Sequence, residues 1–125
     1  MNIGIIGQGF VGNAVFQKFK KFFNIKTFDL DISKSNSTFE EICKCNYIFL
    51  CLPTPMNVDG SCNVKIVEDV IKKVDENTDT IIIIKSTVPP GTIDMWNNKF
   101  KSKIIFNPEF LTEKNAVNDY ENQDR

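Results

Sequence analysis

A chain of 125 residues with 42% hydrophobic and 25% charged residues is long enough for one globular domain with its own core and too short for two. Its formal net charge of -1 provides no field that would attract nucleic acid or anionic lipid, and the absence of histidine excludes histidine-based catalysis and the commonest zinc ligand sets. Nothing in the sequence marks secretion or membrane insertion, so we expect a cytoplasmic protein with reduced cysteines, no bound metal, and neither nucleic acid nor a membrane as partner.

The first twelve residues predict a buried strand, a tight turn and the start of a helix. Residues 3–6 are apolar and rich in isoleucine, as expected for a central parallel strand. Gly7, Gly9 and Gly12 follow with the spacing GxGxxG. In this pattern the first glycine permits the turn, the second lets a pyrophosphate approach the backbone, and the third lets the helix pack close to the strand. The same spacing also occurs in ordinary strand-to-helix turns.

Apolar residues at helical spacing predict a first helix over residues 10–23, with an inward face made of Val11, Val15, Phe19 and Phe22. A second strand follows over residues 25–30, and Asp29 lies near its end. Because it comes about twenty residues after the glycines, this carboxylate is placed to accept hydrogen bonds from both hydroxyls of an adenosine ribose and to repel a 2′-phosphate. The alternative is that Asp29 only caps a loop.

Three further strands and three helices complete the predicted elements. A capping box formed by Ser37 and Glu40 opens a short helix over residues 38–44. Asn63 caps a longer helix, and Pro90 starts the last one. The strands, each a short apolar run, cover residues 47–52, 80–84 and 103–106. The inward residues of the two longer helices are Val64, Val67, Val70, Ile71 and Val74, and then Ile93, Trp96 and Phe100.

Alternation of strands and helices along the chain is typical of an α/β fold with a parallel sheet. We predict a Rossmann-like, doubly wound sheet of five strands in the order 2-1-3-4-5, with helices on both faces, formed by a single domain over residues 1–125. Ligands of such sheets bind beyond the carboxyl ends of the strands, where the strand order reverses. This position lies between strands one and three, at residues 7–12 and 52–55.

Four segments together resemble one particular family. They are GQGFVG, CLPTP followed by DGS, KSTVPPGT, and NPEFL. In this combination the chain resembles, over nearly its whole length, the N-terminal NAD-binding domain of the UDP-glucose/GDP-mannose dehydrogenase family. The resemblance implies NAD as cofactor, a nucleotide sugar such as UDP-glucose as substrate, and oxidation of a sugar C6 alcohol to a carboxylate.

The resemblance also implies roles for individual residues. The pyrophosphate of the cofactor is held by Gly7, Gly9, Phe10, Val11 and Gly12. The adenosine ribose is held by Asp29 and Lys34, and the rest of the cofactor is lined by Leu52, Pro53, Thr54, Ser86 and Thr87. Thr87 orders a catalytic water and Glu109 assists proton transfer. The substrate side is formed by Glu109, Phe110, Leu111 and Glu113, of which Glu113 lies near both nicotinamide and substrate.

The sequence departs from the family in two respects. Family members normally carry a further strand and a long loop between the segments that match Asp29 and Phe39, where this chain has a short loop. Their nucleophilic cysteine lies in later domains, and none of the four cysteines here matches it. We therefore expect a catalyst that is incomplete alone, whether a fragment, a truncated gene product or one part of a split enzyme that needs a separate catalytic domain or subunit. The alternative is a dinucleotide-binding or partner-subunit module without chemistry of its own.

Overall fold

Strands and helices alternate through residues 1–107, the part of the chain that this computed structural model describes, with the side chain of Phe10 excepted. The strands are β1 (Asn2–Ile6), β2 (Asn24–Phe28), β3 (Tyr47–Leu50), β4 (Ile81–Ile84) and β5 (Lys103–Phe106). The α-helices are α1 (Phe10–Phe19), α2 (Phe39–Cys43), α3 (Lys65–Asn77) and α4 (Thr92–Lys99), and a short 3-10 helix covers Ile32–Lys34 before α2.

All neighbouring strands pair in parallel, in the order β2-β1-β3-β4-β5. The predicted fold class and strand order are therefore confirmed. Ile6 at the end of β1 is aligned with Phe28 of β2 on one side and with Leu50 of β3 on the other. The turn after β1 consequently leaves the sheet where the strand order reverses, between the ends of its two neighbours.

The core has one layer on each face of the sheet, because α1 packs on one side and the other helices pack on the opposite side. The α1 layer is formed by Ile3, Ile5, Ala14, Val15, Ile25 and Phe49. The opposite layer is larger and includes Ile42, Ile48, Leu50, Val67, Ile71, Val74, Ile82, Ile84, Trp96 and Ile104. Helices on both faces match the right-handed crossovers expected for this strand order.

The first helix ends earlier than predicted. It stops at Phe19, and the Phe22 amide donates to the Phe19 carbonyl in a tighter turn that directs the chain into β2. Phe22 was predicted to face the core, but its side chain is 75% exposed. Phe23 packs in its place, with its ring centroid 5.8 Å from that of Phe19. The prediction was wrong because helical spacing alone does not show where the chain must leave the helix to reach the next strand.

The capping box of α2 is also shifted by one position. Thr38, not Ser37, accepts the hydrogen bond from the Glu41 amide at 3.2 Å, and the Glu41 carboxylate accepts the Thr38 amide at 3.0 Å. The Ser37 hydroxyl instead donates to the Asn36 side chain at 2.6 Å. Two overlapping Ser/Thr-x-x-Glu patterns are present here, and the sequence pattern alone does not choose between them.

The helices α3 and α4, which pack in the larger core layer, begin close to the predicted positions. The N-cap of α3 is Val64, which makes no side-chain cap, so the predicted cap Asn63 lies one position too early; its side chain still accepts the Lys65 amide at 3.0 Å. α4 begins after Gly91, whose φ of 87° is left-handed, and not at Pro90. Trp96 of α4 is fully buried, as predicted. None of the helices within residues 1–107 combines the length and apolar character needed to cross a membrane.

Candidate functional site

A cleft of about 630 Å³ opens at the carboxyl ends of β1, β2 and β3. Its volume lies within the range of pockets that hold small-molecule ligands. One wall comes from α2 and another from α3, since Phe39 and Val70 both line it. The remaining lining residues are Ile6, Gly7, Gly9, Val11, Phe28, Asp29, Leu30, Lys34, Cys51, Leu52, Pro53, Ile66, Lys73, Lys85 and Ser86.

The turn between β1 and α1, called the glycine turn below, carries Gly7 and Gly9, and Gly12 packs against it from α1. Each of the three residues is glycine for a different physical reason. Gly7 has a φ of 97°, and a Cβ there would overlap the carbonyl of Cys51. A Cβ on Gly12 would overlap the Gly7 carbonyl, so this residue lets α1 pack directly on the turn. At Gly9, apart from its chain neighbours and the α1 backbone, no atom of the described residues lies within 4 Å of the position of a Cβ. Gly9 is therefore not required by the fold, and it leaves free space at the floor of the cleft.

The first turn of α1 borders this free space. Within residues 1–107, no side chain caps the helix at Gly9, and its first turn carries no acidic residue. The first backbone amides of a helix have no partner inside the helix, and they lie at the positive end of its dipole. Together with the space above Gly9, this arrangement suits a phosphate or pyrophosphate group.

Asp29 lies directly after β2 and lines the cleft. One oxygen of its carboxylate accepts the Gln8 amide at 2.7 Å, and the other accepts the Asp31 amide at 2.8 Å. The Asp29 amide donates to the Ser35 hydroxyl at 2.8 Å, and that hydroxyl donates to the Asp29 carbonyl at 3.0 Å. The carboxylate is thus held beside the glycine turn from both sides.

The charged lining of the cleft is mainly basic. Lys34, Lys73 and Lys85 line it together with Asp29. Lys85 is only 3% exposed, whereas the Nζ atom of Lys73 lies 5.3 Å from the centroid of the Phe39 ring. An excess of lysine over aspartate favours an anionic ligand.

Ser86 joins the carboxyl ends of β3 and β4. Its hydroxyl accepts the Leu52 amide at 3.1 Å and donates to the Leu52 carbonyl at 2.5 Å. The Cys62 thiol lies 3.7 Å from the Thr87 carbonyl oxygen and 3.9 Å from that of Thr54. These contacts hold together the two loops on which the predicted cofactor residues Thr54, Ser86 and Thr87 lie.

The structure brings eight of the predicted cofactor residues to the cleft: Gly7, Gly9, Val11, Asp29, Lys34, Leu52, Pro53 and Ser86. Gly12 lies beneath the turn, and Thr54 and Thr87 lie outside the lining, Thr87 with its side chain exposed. Glu109, Phe110, Leu111 and Glu113 fall outside the described residues, as does the side chain of Phe10.

Sequence reasoning missed the apolar walls of the cleft. Leu30 follows Asp29 and is 94% exposed, and Ile66 and Val70 project from α3. Val70 was recognised as part of the inward stripe of α3, and Ile66 lies one helical turn before it. That neighbouring position was the only signal in the sequence for this wall.

Two of the four cysteines, Cys43 and Cys45, are buried and are not reactive thiols. Burial raises the pKa of the Cys43 thiol, and the nearby Glu40 carboxylate raises it further. Burial also raises the pKa of the Cys45 thiol. Both thiols therefore stay protonated at neutral pH. In the described part of the chain, no three histidine, cysteine, aspartate or glutamate side chains are grouped so that they could hold a metal ion.

Residues 27–125 match the model of the UDP-glucose/GDP-mannose dehydrogenase family, NAD binding domain. An uncharacterised protein of Methanocaldococcus jannaschii is 30% identical over 162 residues, covering 100% of this chain and 18% of that protein. The UDP-glucose 6-dehydrogenase of Rickettsia conorii is 39% identical over 92 residues, covering 68% of this chain and 21% of the relative. The chain thus spans about a fifth of the length of the curated relatives it matches.

Two solved structures share the fold. GDP-mannose dehydrogenase from Pseudomonas aeruginosa, solved as a ternary complex, superposes with a TM-score of 0.78 and 21% identity, covering 96% of this chain and 38% of the other. UDP-glucose dehydrogenase from the archaeon Pyrobaculum islandicum superposes with a TM-score of 0.76 and 21% identity, covering 95% and 38%. The glycine turn precedes the residues that the family model matches, but its geometry agrees with the same assignment. The chain belongs to the UDP-glucose/GDP-mannose dehydrogenase family as an NAD-binding domain, and its cofactor is NAD.

Proposed function

We propose that this chain is the cofactor-binding unit of a nucleotide-sugar dehydrogenase of the UDP-glucose 6-dehydrogenase type, which oxidises a sugar C6 alcohol to a carboxylate. The observation that carries the proposal is the free space above Gly9, bordered by the first turn of α1 on one side and by the Asp29 carboxylate on the other. Membership of the family supports the reaction class.

NAD supplies the hydride acceptor when it is bound. The backbone amides from Gly9 to Gly12 would hold its pyrophosphate, and Asp29 with Lys34 would hold the adenosine ribose. The apolar walls, formed by Leu30, Phe39, Ile66 and Val70, provide the environment that an adenine ring needs. Leu52, Pro53 and Ser86 line the cleft toward β4 and would contact the rest of the cofactor.

The catalytic and substrate roles are part of the same proposal. Thr87 follows β4 and its side chain is exposed, as a residue that orders a water molecule must be. Glu109 follows β5 in the sequence, and a carboxylate beyond the carboxyl end of a strand can serve as a general base. The substrate would contact Glu109, Phe110, Leu111 and Glu113.

We expect the chain alone to bind NAD without oxidising UDP-glucose or a related sugar. Oxidation to the carboxylate needs a thiolate that traps the intermediate aldehyde. Cys43 and Cys45 are buried with raised pKa values, and the Cys62 thiol faces backbone carbonyls of neighbouring loops. The missing nucleophile would come from a separate domain or subunit.

Two measurements test this expectation. Calorimetry measures the binding of NAD, and the absorbance of NADH measures turnover when the chain is incubated with NAD and a panel of nucleotide sugars. A full-length UDP-glucose 6-dehydrogenase in the same assay is the positive control. Absence of NAD binding would overturn the proposed function. Turnover that is lost in Cys62→Ser would show that this chain contains its own nucleophile and is a complete catalyst.

A second candidate function is a cofactor-binding partner subunit without chemistry of its own. It is favoured by the chemistry of two cysteines, since Cys43 and Cys45 are buried with raised pKa values and offer no thiolate at neutral pH. A downstream coding region for a cysteine-bearing domain would support the dehydrogenase, and its absence would support the partner subunit.

We expect NAD to bind at least about tenfold more tightly than NADP, because the Asp29 carboxylate would face the added 2′-phosphate. Lys26 does not offset this repulsion, since its Nζ atom lies 3.7 Å from a Glu41 oxygen and the residue does not line the cleft. Titration of both cofactors by calorimetry measures the ratio. Equal or tighter binding of NADP would mean that Lys34 and not Asp29 dominates the ribose subsite.

A further inference from the structure

The glycine turn is attached to the end of β2 by two consecutive amides. The Gly7 amide donates to the Phe28 carbonyl at 2.8 Å, and the Gln8 amide donates to the Asp29 carboxylate at 2.7 Å. The first of these bonds continues the pairing of β1 with β2. The second is made by a side chain, and a hydrogen bond to a charged acceptor is stronger than one to a neutral acceptor.

This bond fixes the peptide between Gly7 and Gln8, which immediately precedes the free space above Gly9. Gly7 is in a left-handed conformation with a φ of 97°, and a flexible turn could leave that conformation. The Asp29 carboxylate is itself held by the Asp31 amide at 2.8 Å, so it is a fixed acceptor for the Gln8 amide. The two contacts therefore set the shape of the turn without any contribution from a ligand.

The same carboxylate retains the capacity to bind a ribose. An ionised carboxylate has about four lone-pair positions, roughly two on each oxygen. The Gln8 and Asp31 amides occupy one position on each oxygen. One position on each oxygen remains for a pair of adjacent hydroxyls.

We propose that Asp29 is a positioning residue for the glycine turn, in addition to its contact with the ribose, and that it couples the ribose subsite to the pyrophosphate subsite. The coupling rests on the proposed dinucleotide-binding function, whereas the positioning of the turn does not. A ligand that displaces the Asp29 carboxylate, as a 2′-phosphate would, also loosens the turn that holds the pyrophosphate. Discrimination against NADP would then include a loss at the pyrophosphate as well as charge repulsion.

Amide hydrogen exchange in the ligand-free protein tests the positioning. We expect the Gln8 amide to be protected in the wild-type chain and to exchange on the order of tenfold faster or more in Asp29→Asn, because an asparagine offers one neutral oxygen to two amide donors and the bond from Gln8 is weakened or lost whichever way the side-chain amide points. Asp59→Asn is the matched control, since Asp59 accepts hydrogen bonds from Ser61 in a loop outside the cleft. An unprotected Gln8 amide in the wild-type chain, or unchanged exchange in Asp29→Asn, would overturn the inference.

A ligand without the ribose hydroxyls tests the coupling. We expect Asp29→Asn to bind 2′,3′-dideoxy-ADP several-fold more weakly than the wild-type chain does. If Asp29 acted only through the ribose hydroxyls, removing its negative charge would leave the affinity for this anion unchanged or raise it. That result, with a loss confined to ADP and NAD, would overturn the coupling and leave the proposed function intact. Failure of the wild-type chain to bind NAD and ADP would overturn the proposed function and with it the coupling, while the exchange of Gln8 would still decide the positioning.

Discussion

Substitution of Gly9 by valine is expected to weaken NAD binding on the order of a hundredfold while the domain stays folded. The backbone at Gly9 has φ -70° and ψ -166°, an extended conformation that valine adopts readily. Among the described residues, and leaving aside the chain neighbours and the α1 backbone, no atom lies within 4 Å of the new Cβ, so the branched side chain enters the cleft and not the core. It would occupy the space that the pyrophosphate needs.

Calorimetry with NAD measures the affinity of Gly9→Val, and circular dichroism with a thermal melt shows whether the fold survives. We expect the free energy of unfolding to fall by at most about 1 kcal/mol, because a valine at this position is a poorer helix cap than glycine. Gly9→Ala, which adds only the Cβ, should lose less affinity than Gly9→Val. Retained NAD affinity in a natively folded Gly9→Val chain would refute the proposed position of the pyrophosphate.

The opposite result is expected for Gly12→Ala, which should destabilise the fold by about 3 kcal/mol or more. At an open helical position, replacing glycine with alanine stabilises a protein by up to about 1 kcal/mol. At Gly12 the added Cβ overlaps the Gly7 carbonyl, so α1 must move away from the turn. Strain from this overlap exceeds the gain in helix propensity.

Thermal unfolding followed by circular dichroism and by the fluorescence of Trp96, the single tryptophan of the chain, measures this loss. For a domain of this size, 3 kcal/mol corresponds to a decrease of roughly 10 °C in the melting temperature. Gly9→Ala is the matched control, since it makes the same chemical change at a position without neighbours. A melting temperature equal to or above that of the wild-type chain would show that α1 does not depend on close packing at Gly12.

The strands and their order were predictable because short apolar runs bounded by polar loops leave few alternative pairings. The end of α1 was not, because Phe22 and Phe23 are equally apolar and the direction of the chain into β2 decides which one is buried. The same limit applies to Thr38, since its choice as cap over Ser37 depends on how α2 packs.

The strand-end residues of the site were more predictable than its walls. Gly9, Asp29 and Leu52 each lie within three residues of the end of a strand, and the carboxyl ends of parallel strands meet at one edge of the sheet. Ile66 and Lys73 line the cleft from α3, beside the core stripe of that helix. Which positions beside such a stripe face a ligand depends on the rotation of the helix over the sheet, and local sequence does not determine that rotation.

The position of β1 in the interior of the sheet has a consequence for biosynthesis. β1 leaves the ribosome first, yet Ile3 pairs with Ile25 on one side and with Tyr47 on the other. During translation β2 is the first strand available to pair with β1, and the other side of β1 stays unpaired until β3 has been translated. Among residues 1–107, every residue that lines the cleft precedes Thr87 in the chain. In a longer dehydrogenase that begins with such a domain, the cofactor site would thus be fully translated, and free to fold, while the later domains are still being made.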